Sequence, residues 1–210
     1  MKITLRLETE KDHKIVENLT REAFWNNHVP GCDEHLLIHN LRKSKTFINQ
    51  LDYVALYNNE IVGNIVYMKA QIISNDVEHS VLTFGPISVL PEYQNKGIGS
   101  KLISHTIQQS KEMGYKAIII YGDLDYYRRF GFKISKEYNI TNKEKKFPAA
   151  LLVLELYPNA LMGIEGIFFE GEDYEVNQDE LIEFDKKFPK KDKEYSKTQD
   201  RFNELSGQYL

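Results

Sequence analysis

Only one of the 210 residues is a cysteine, Cys32, so no intrachain disulfide can brace this chain. That usage fits a reducing compartment, and Cys32 stands beside the turn residues Pro30 and Gly31 with nothing nearby to stabilise a thiolate, so it reads as an inert thiol. A basic excess is missing too. The 27 Lys and Arg against 31 Asp and Glu give a net charge of -4, which argues against a general nucleic-acid binder. No apolar run approaches the ~20 residues that span a bilayer. The first residues, Met1 to Leu7, alternate like a strand and lack the apolar centre of a signal peptide. The chain is therefore expected to be a soluble, cytoplasmic protein with no membrane partner. No metal site is expected either, because the histidines 13, 28, 35, 39, 79 and 105 show no zinc-ligand spacing. His35 and His39 would share a helix face and read as surface polarity. No internal repeat or low-complexity tract is evident.

What is present is 41% hydrophobic residues, enough for a core, arranged in alternating β and α periods. Ile3, Leu5 and Leu7 mark a first strand. Ile15, Val16, Leu19 and Phe24 mark a helix starting near Thr9 or Glu10, and a second helix over about 33–43 buries Leu36, Leu37 and Leu41 behind an Asp33 N-cap. Strands are expected at 53–57, 61–73 and 78–89, joined by tight turns at Asn58-Asn59 and Asn75-Asp76. Pro86 cannot donate to a ladder, so a bulge or strand separation is expected near Gly85-Pro86. A helix over about 97–113 should bury Ile98, Leu102, Ile103, Ile107 and Met113 and end at Gly114. An apolar strand follows at 116–121, then a short helix over 125–130 ended by Gly131, and strands at 132–135 and 150–156. Past Tyr157 the chain becomes densely charged. We therefore divide it into a domain over 1–157 and an extension over 158–210 that packs on it.

The chemistry should lie between Phe84 and Phe132. A strand enters the polar loop Pro91-Glu92-Tyr93-Gln94-Asn95-Lys96-Gly97, and a helix begins through Gly97-x-Gly99. Unpaired N–H groups at a helix start attract phosphate, and the helix dipole adds to the attraction. Glycines at 97 and 99 let the backbone approach a pyrophosphate closely, while Gln94 and Lys96 can add a donor and a charge. Two nucleotide motifs do not fit. A dinucleotide G-x-G-x-x-G fails at Leu102, and Gly99-Ser100-Lys101 has the wrong order for a P-loop.

Ile87-Ser88-Val89-Leu90-Pro91-Glu92-Tyr93-Gln94-Asn95-Lys96-Gly97-Ile98-Gly99 resembles the acyl-CoA signature of the GNAT family of N-acetyltransferases, Gln/Arg-x-x-Gly-x-Gly/Ala after an apolar strand. Tyr126-Tyr127-Arg128-Arg129-Phe130-Gly131-Phe132 resembles that family's second landmark, a Tyr four residues before Gly-Phe. Thr83-Phe84-Gly85-Pro86-Ile87 and the Tyr126-Tyr127 pair further resemble the subgroup called YhbS-like. The resemblance covers about residues 1–157. It implies an α/β fold with a splayed mixed sheet flanked by helices and a charged C-terminal extension. It implies acetyl-CoA as acyl donor, with pantetheine bonded to Ile87 and Val89 as a surrogate strand, and Gln94, Asn95, Lys96, Gly97, Ile98, Gly99 and Ser100 around its phosphates. The Val89 N–H would polarise the thioester carbonyl, and Tyr127 would protonate the departing thiolate, with Tyr126 as its rival. Glu34 lies where the family builds its acceptor site and could hold a cationic amine. The acceptor, a small molecule or a protein amine, is not identified, and a homodimer stays open. A non-catalytic acyl-CoA sensor is the alternative function.

Overall fold

A computed structural model describes all residues 1–210. Two asparagine-rich turns organise its centre. Asn58 and Asn59 (φ 49° and 67°) join β2 (Tyr53–Tyr57) to β3 (Glu60–Ser74), and Asn75 and Asp76 (φ 47° and 63°) join β3 to β4 (Val77–Val89). Asn and Asp tolerate the left-handed backbone that twist-matched hairpin turns require. β1 (Thr4–Leu7) pairs antiparallel with β2. β4 leads through α3 (Ile98–Glu112) to β5 (Ala117–Tyr121), which lies parallel to it. β8 (Leu151–Glu155) and β6 (Lys133–Ile134) complete the order β1-β2-β3-β4-β5-β8-β6. β7 (Ile140–Thr141) pairs with β9 (Gly166–Phe169), which also adds to the far end of β3.

Alternation along β3 splits the core into two layers. Ile65 and Tyr67 face α3, where Ile98, Leu102 and Ile103 pack with Leu82, Phe84 and Ile118. Val66 and Met68 face α1 (His13–Phe24) and α2 (Glu34–Leu41), against Val16, Leu19, Ile38 and Leu41. Further along that face, Ala70, Ile72, Val81 and Ile119 pack under Phe168 of β9.

Several expectations are corrected. Ile15 and Met113 are 52% and 41% exposed. Arg21 takes a buried place on α1, and Thr106 and Ser110 do so on α3. The two hydroxyls enter the core because Thr106 bonds the Leu102 carbonyl and the Tyr67 hydroxyl (both 2.9 Å), and Ser110 bonds the Thr106 carbonyl (2.7 Å). Helix α1 starts at His13 rather than near Thr9, because Asp12 folds the preceding turn by accepting from the Thr9 N–H and hydroxyl and from Arg6. His35 is fully buried rather than a surface residue.

The segment after Tyr157 crosses the α1/α2 side of the sheet. Besides β9 it forms α5 (Gln178–Asp185) and α6 (Lys197–Gly207). Asp185 anchors α5 by accepting from Nε of the buried Arg21 at 2.8 Å, and its carboxylate lies 3.3 Å from Nε2 of His35. Trp25 stacks on the Arg21 guanidinium at 4.2 Å. Burial holds the His35 imidazole down to about 4, so it packs neutral between Phe184 and Phe188. Removing Asp185 strands a buried guanidinium. Asp185→Ala should cost about 2–3 kcal/mol, less than for a fully buried pair because Asp185 keeps some contact with water. Urea unfolding monitored at Trp25 checks this, with the exposed Asp200→Ala as the near-neutral control.

Candidate active site

The sheet parts in one place. β4 and β5 pair only at Leu82 and Ile118, although β4 continues to Val89. On its other edge β4 stays paired to β3, with Tyr67 opposite Phe84 and Ile65 opposite Ile87. One residue of β3, Val66, therefore faces two of β4, Gly85 and Pro86, which is the bulge expected there. Gly85 has φ 152°, a value side chains rarely adopt. Beyond the bulge the Leu90 N–H donates to the Val62 carbonyl at 3.0 Å. By alternation, Ile87 and Val89 turn their backbone groups away from β3, into the gap. The Val89 carbonyl accepts Gln94 Nε2 at 3.1 Å.

The gap opens on the start of α3. Its N-cap is Gly97, in the left-handed region (φ 81°) and without a side chain to cap the first turn. The first bond back to this turn is from Lys101 N–H to the Gly97 carbonyl, which leaves the Ile98, Gly99 and Ser100 amides free. They border a cleft of about 420 Å³ lined by Ile87, Val89, Gln94, Asn95, Gly97 and Tyr126, among others. This free, glycine-lined helix start fits a pyrophosphate. Lys96 is turned back, donating to the Glu92 carbonyl at 2.7 Å, and does not line the cleft. Tyr93 and Arg129 do line it and were missed in the sequence. Arg129 had only a weak signal, its place three residues after Tyr126, over whose ring it now stacks at 4.6 Å.

The two tyrosines of α4 (Leu124–Tyr127) part ways. The Tyr126 hydroxyl reaches toward Gly99, where an added Cβ would come within 3.2 Å of it. Tyr127 turns inward beside Phe84 and Phe132, with ring centroids at 5.9 and 5.6 Å. Its ring lies against Gly122, where a Cβ would meet it at 2.5 Å, so only glycine fits there. Burial pushes the Tyr127 phenol above its usual range and keeps it protonated.

Gly122 also lines a second cavity, of about 600 Å³, between the end of β5 and α6 (Lys197–Gly207). His28 lines it, while Glu34 stands one layer behind, bonded to His28 Nδ1 at 3.0 Å. Tyr174 bonds the Gly85 carbonyl at 3.4 Å, tying the C-terminal segment to the bulge. Near it, burial raises the Glu170 carboxyl to about 7 against the pull of Lys143, so this group can exchange a proton near neutrality. No cluster of three or more potential metal ligands is present, and no helix is long and apolar enough to cross a membrane.

A family profile described as an acetyltransferase (GNAT) domain matches residues 4–135. The chain belongs to the GNAT acetyltransferase family. An Escherichia coli K12 relative, named the uncharacterized N-acetyltransferase YhbS, is 24% identical over 164 residues, 78% of this chain and 93% of its own length. The crystal structure of YhbS from Escherichia coli in complex with CoA shares the fold, with a TM-score of 0.73 at 22% identity over 83% of this chain and 92% of that one. A GNAT acetyltransferase from Brucella melitensis, in complex with acetyl-CoA, has a TM-score of 0.67 at 27% identity over 83% of this chain and 99% of that one. The open mixed sheet flanked by helices is thus the GNAT fold.

Two outcomes test the site. Gly99→Val should weaken CoA binding by at least about tenfold in calorimetry, because its side chain covers the free amides, while thermal stability stays near that of the wild type. The raised Glu170 value means that the folded state holds more protons than the unfolded state between about pH 4.5 and 7, so its contribution to stability falls as pH rises through that window. Glu170→Gln should therefore be more stable than wild type above pH 7, by up to about 3 kcal/mol, and the two should converge below pH 4.5. Chemical unfolding across pH checks it.

Proposed function

We propose that the chain is an acetyl-CoA-dependent N-acetyltransferase that passes an acetyl group directly to a primary amine of a small molecule or protein. The observation that carries this reading is the free N-terminus of α3 at the mouth of the parted sheet, with the protonated Tyr127 behind it. The amides of Ile98, Gly99 and Ser100, with Gln94 and Asn95, would hold the pyrophosphate, and the edge groups of Ile87 and Val89 the pantetheine. Lys96 would join them by swinging from its contact with the Glu92 carbonyl. When bound, acetyl-CoA supplies the activated acetyl group. The Val89 N–H faces the gap and serves as the donor for the carbonyl oxygen on which charge develops. Gln94 occupies the Val89 carbonyl and so steadies the strand end that presents this donor. Tyr127 would supply the proton that the departing sulfur takes up. Glu34 orients His28 at the acceptor side. We also read 1–157 as the transferase domain and 158–210 as the segment that completes its acceptor side. The single buried thiol suits a cytoplasmic protein.

Tyr127→Phe should lower kcat by about 10²–10⁴-fold with little change in acetyl-CoA affinity. Tyr126→Phe, which alters the cleft wall beside Gly99, should act mainly on cofactor affinity. Free-CoA release with a panel of amines, together with calorimetry, measures both effects. Tight CoA binding with no release on any acceptor would turn the reading to an acyl-CoA sensor.

A further inference from the structure

We propose that the cavity under α6 is the acceptor site and that it takes a small primary amine with a flat aromatic or apolar body. This rests on the transferase reading above and narrows its acceptor class. The position comes first. The cavity is lined by Gly122, and the Tyr127 ring packs against the same glycine, which makes the proton donor a near neighbour of the cavity. It opens at the C-terminal end of β5, beside the parting of the sheet.

Size and roof argue for a small molecule. A volume of about 600 Å³ falls within the usual range for small-ligand sites. Helix α6 of the same chain forms one wall with Thr198, Arg201, Phe202, Leu205 and Ser206, and so narrows the space for a polypeptide acceptor. That roof is bolted down: Thr198 donates to the Asn27 carbonyl at 2.8 Å, Gln199 to the Asn26 carbonyl at 3.1 Å, and Phe202 stacks on His28 at 4.4 Å. Beyond the helix, the Leu210 N–H donates to the Phe147 carbonyl at 2.9 Å.

The walls select the body of the amine. Tyr121, Phe202 and Tyr209 supply aromatic faces, with Leu205 and Pro148 between them. Such faces suit another ring and also attract one ammonium. A polycation is not matched. Asp123 is the only carboxylate of the lining, and Arg201 holds it at 3.1 and 3.3 Å. Burial opposes ionisation of Asp123, but Arg201 and the Asp125 N–H outweigh it; Arg201 also reaches Glu204 at 3.2 Å outside the lining, so Asp123 is already engaged and not free to hold a second ammonium. In the transfer, the amine nitrogen bonds the acetyl carbon as the carbon–sulfur bond breaks. The nitrogen loses one proton to solvent, the sulfur takes the proton of Tyr127, and the phenolate is reprotonated from solvent.

The test compares tyramine and 2-phenylethylamine with spermidine and a lysine-containing peptide as acceptors for the full chain. The aryl amines should show kcat/KM at least about tenfold above the other two. Leu205→Trp fills the cavity and should raise the tyramine KM at least tenfold with acetyl-CoA affinity unchanged. Ser206→Trp, also on the lining, gives the same result if Leu205→Trp disturbs folding. A preference for the peptide or spermidine, or tyramine kinetics indifferent to both tryptophans, overturns the assignment. Calorimetry of tyramine on the CoA-loaded protein separates the two readings. Binding that Leu205→Trp abolishes, without any acetylated product, keeps the cavity assignment and removes the transferase.

Discussion

The parting of β4 from β5 after Leu82 is the constraint around which this molecule is built. Two parallel strands that diverge leave N–H and C=O groups without partners, and such groups are costly unless something else satisfies them. The divergence persists because each strand is held from its outer side. β4 pairs with β3 along nearly its whole length, and every residue of β5 pairs with β8. The bulge at Gly85 and Pro86 bends β4 where the gap begins, so the opening belongs to the strand geometry and needs no moving part.

Around the gap, each layer of packing has a part in presenting it. Helix α3 is driven onto the sheet by Ile98, Leu102 and Ile103, and this fixes its uncapped start at the mouth of the opening. Tyr127 sits among Phe84, Phe130 and Phe132, which orient its ring and keep its proton on. On the opposite face, the bond from Ser88 to Thr20 ties α1 to β4 inside the core, at 3.1 Å. The two faces of the sheet thus present different chemistry: amides free for an anion on one, and a walled cavity on the other.

The C-terminal segment gives that second face its walls. Asp185 draws α5 onto Arg21 and His35, β9 extends β3, and α6 roofs the end of β5. Its polar groups are spaced along the path and pin it at successive points, among them Tyr174 at Gly85, Asp185 at Arg21, and Arg201 at Asp123. A segment so rich in charge can lie over an apolar sheet because it buries Leu161, Phe168, Leu181 and Phe184 beneath it.

Local patterns were enough for the sequence to determine most of the elements and the cofactor loop. Asn58-Asn59 and Asn75-Asp76 specify left-handed turns, Gly97 and Gly99 clear a helix start, and Pro86 disrupts a ladder, because each acts through backbone preferences that need no distant partner. Tyr126 and Tyr127 were legible as a pair, yet their division of direction depends on Gly99 and Gly122, brought up from other elements. The tertiary structure alone decided where polar side chains are buried. His35 and Arg21 look like surface residues on their own helices and become core only because Asp185, some 150 residues or more away in the chain, arrives to meet them. For the same reason the second cavity had no sequence signature: His28, Gly122, Asp123 and Arg201 share no motif, and only the path of the C-terminal segment across the sheet brings them together.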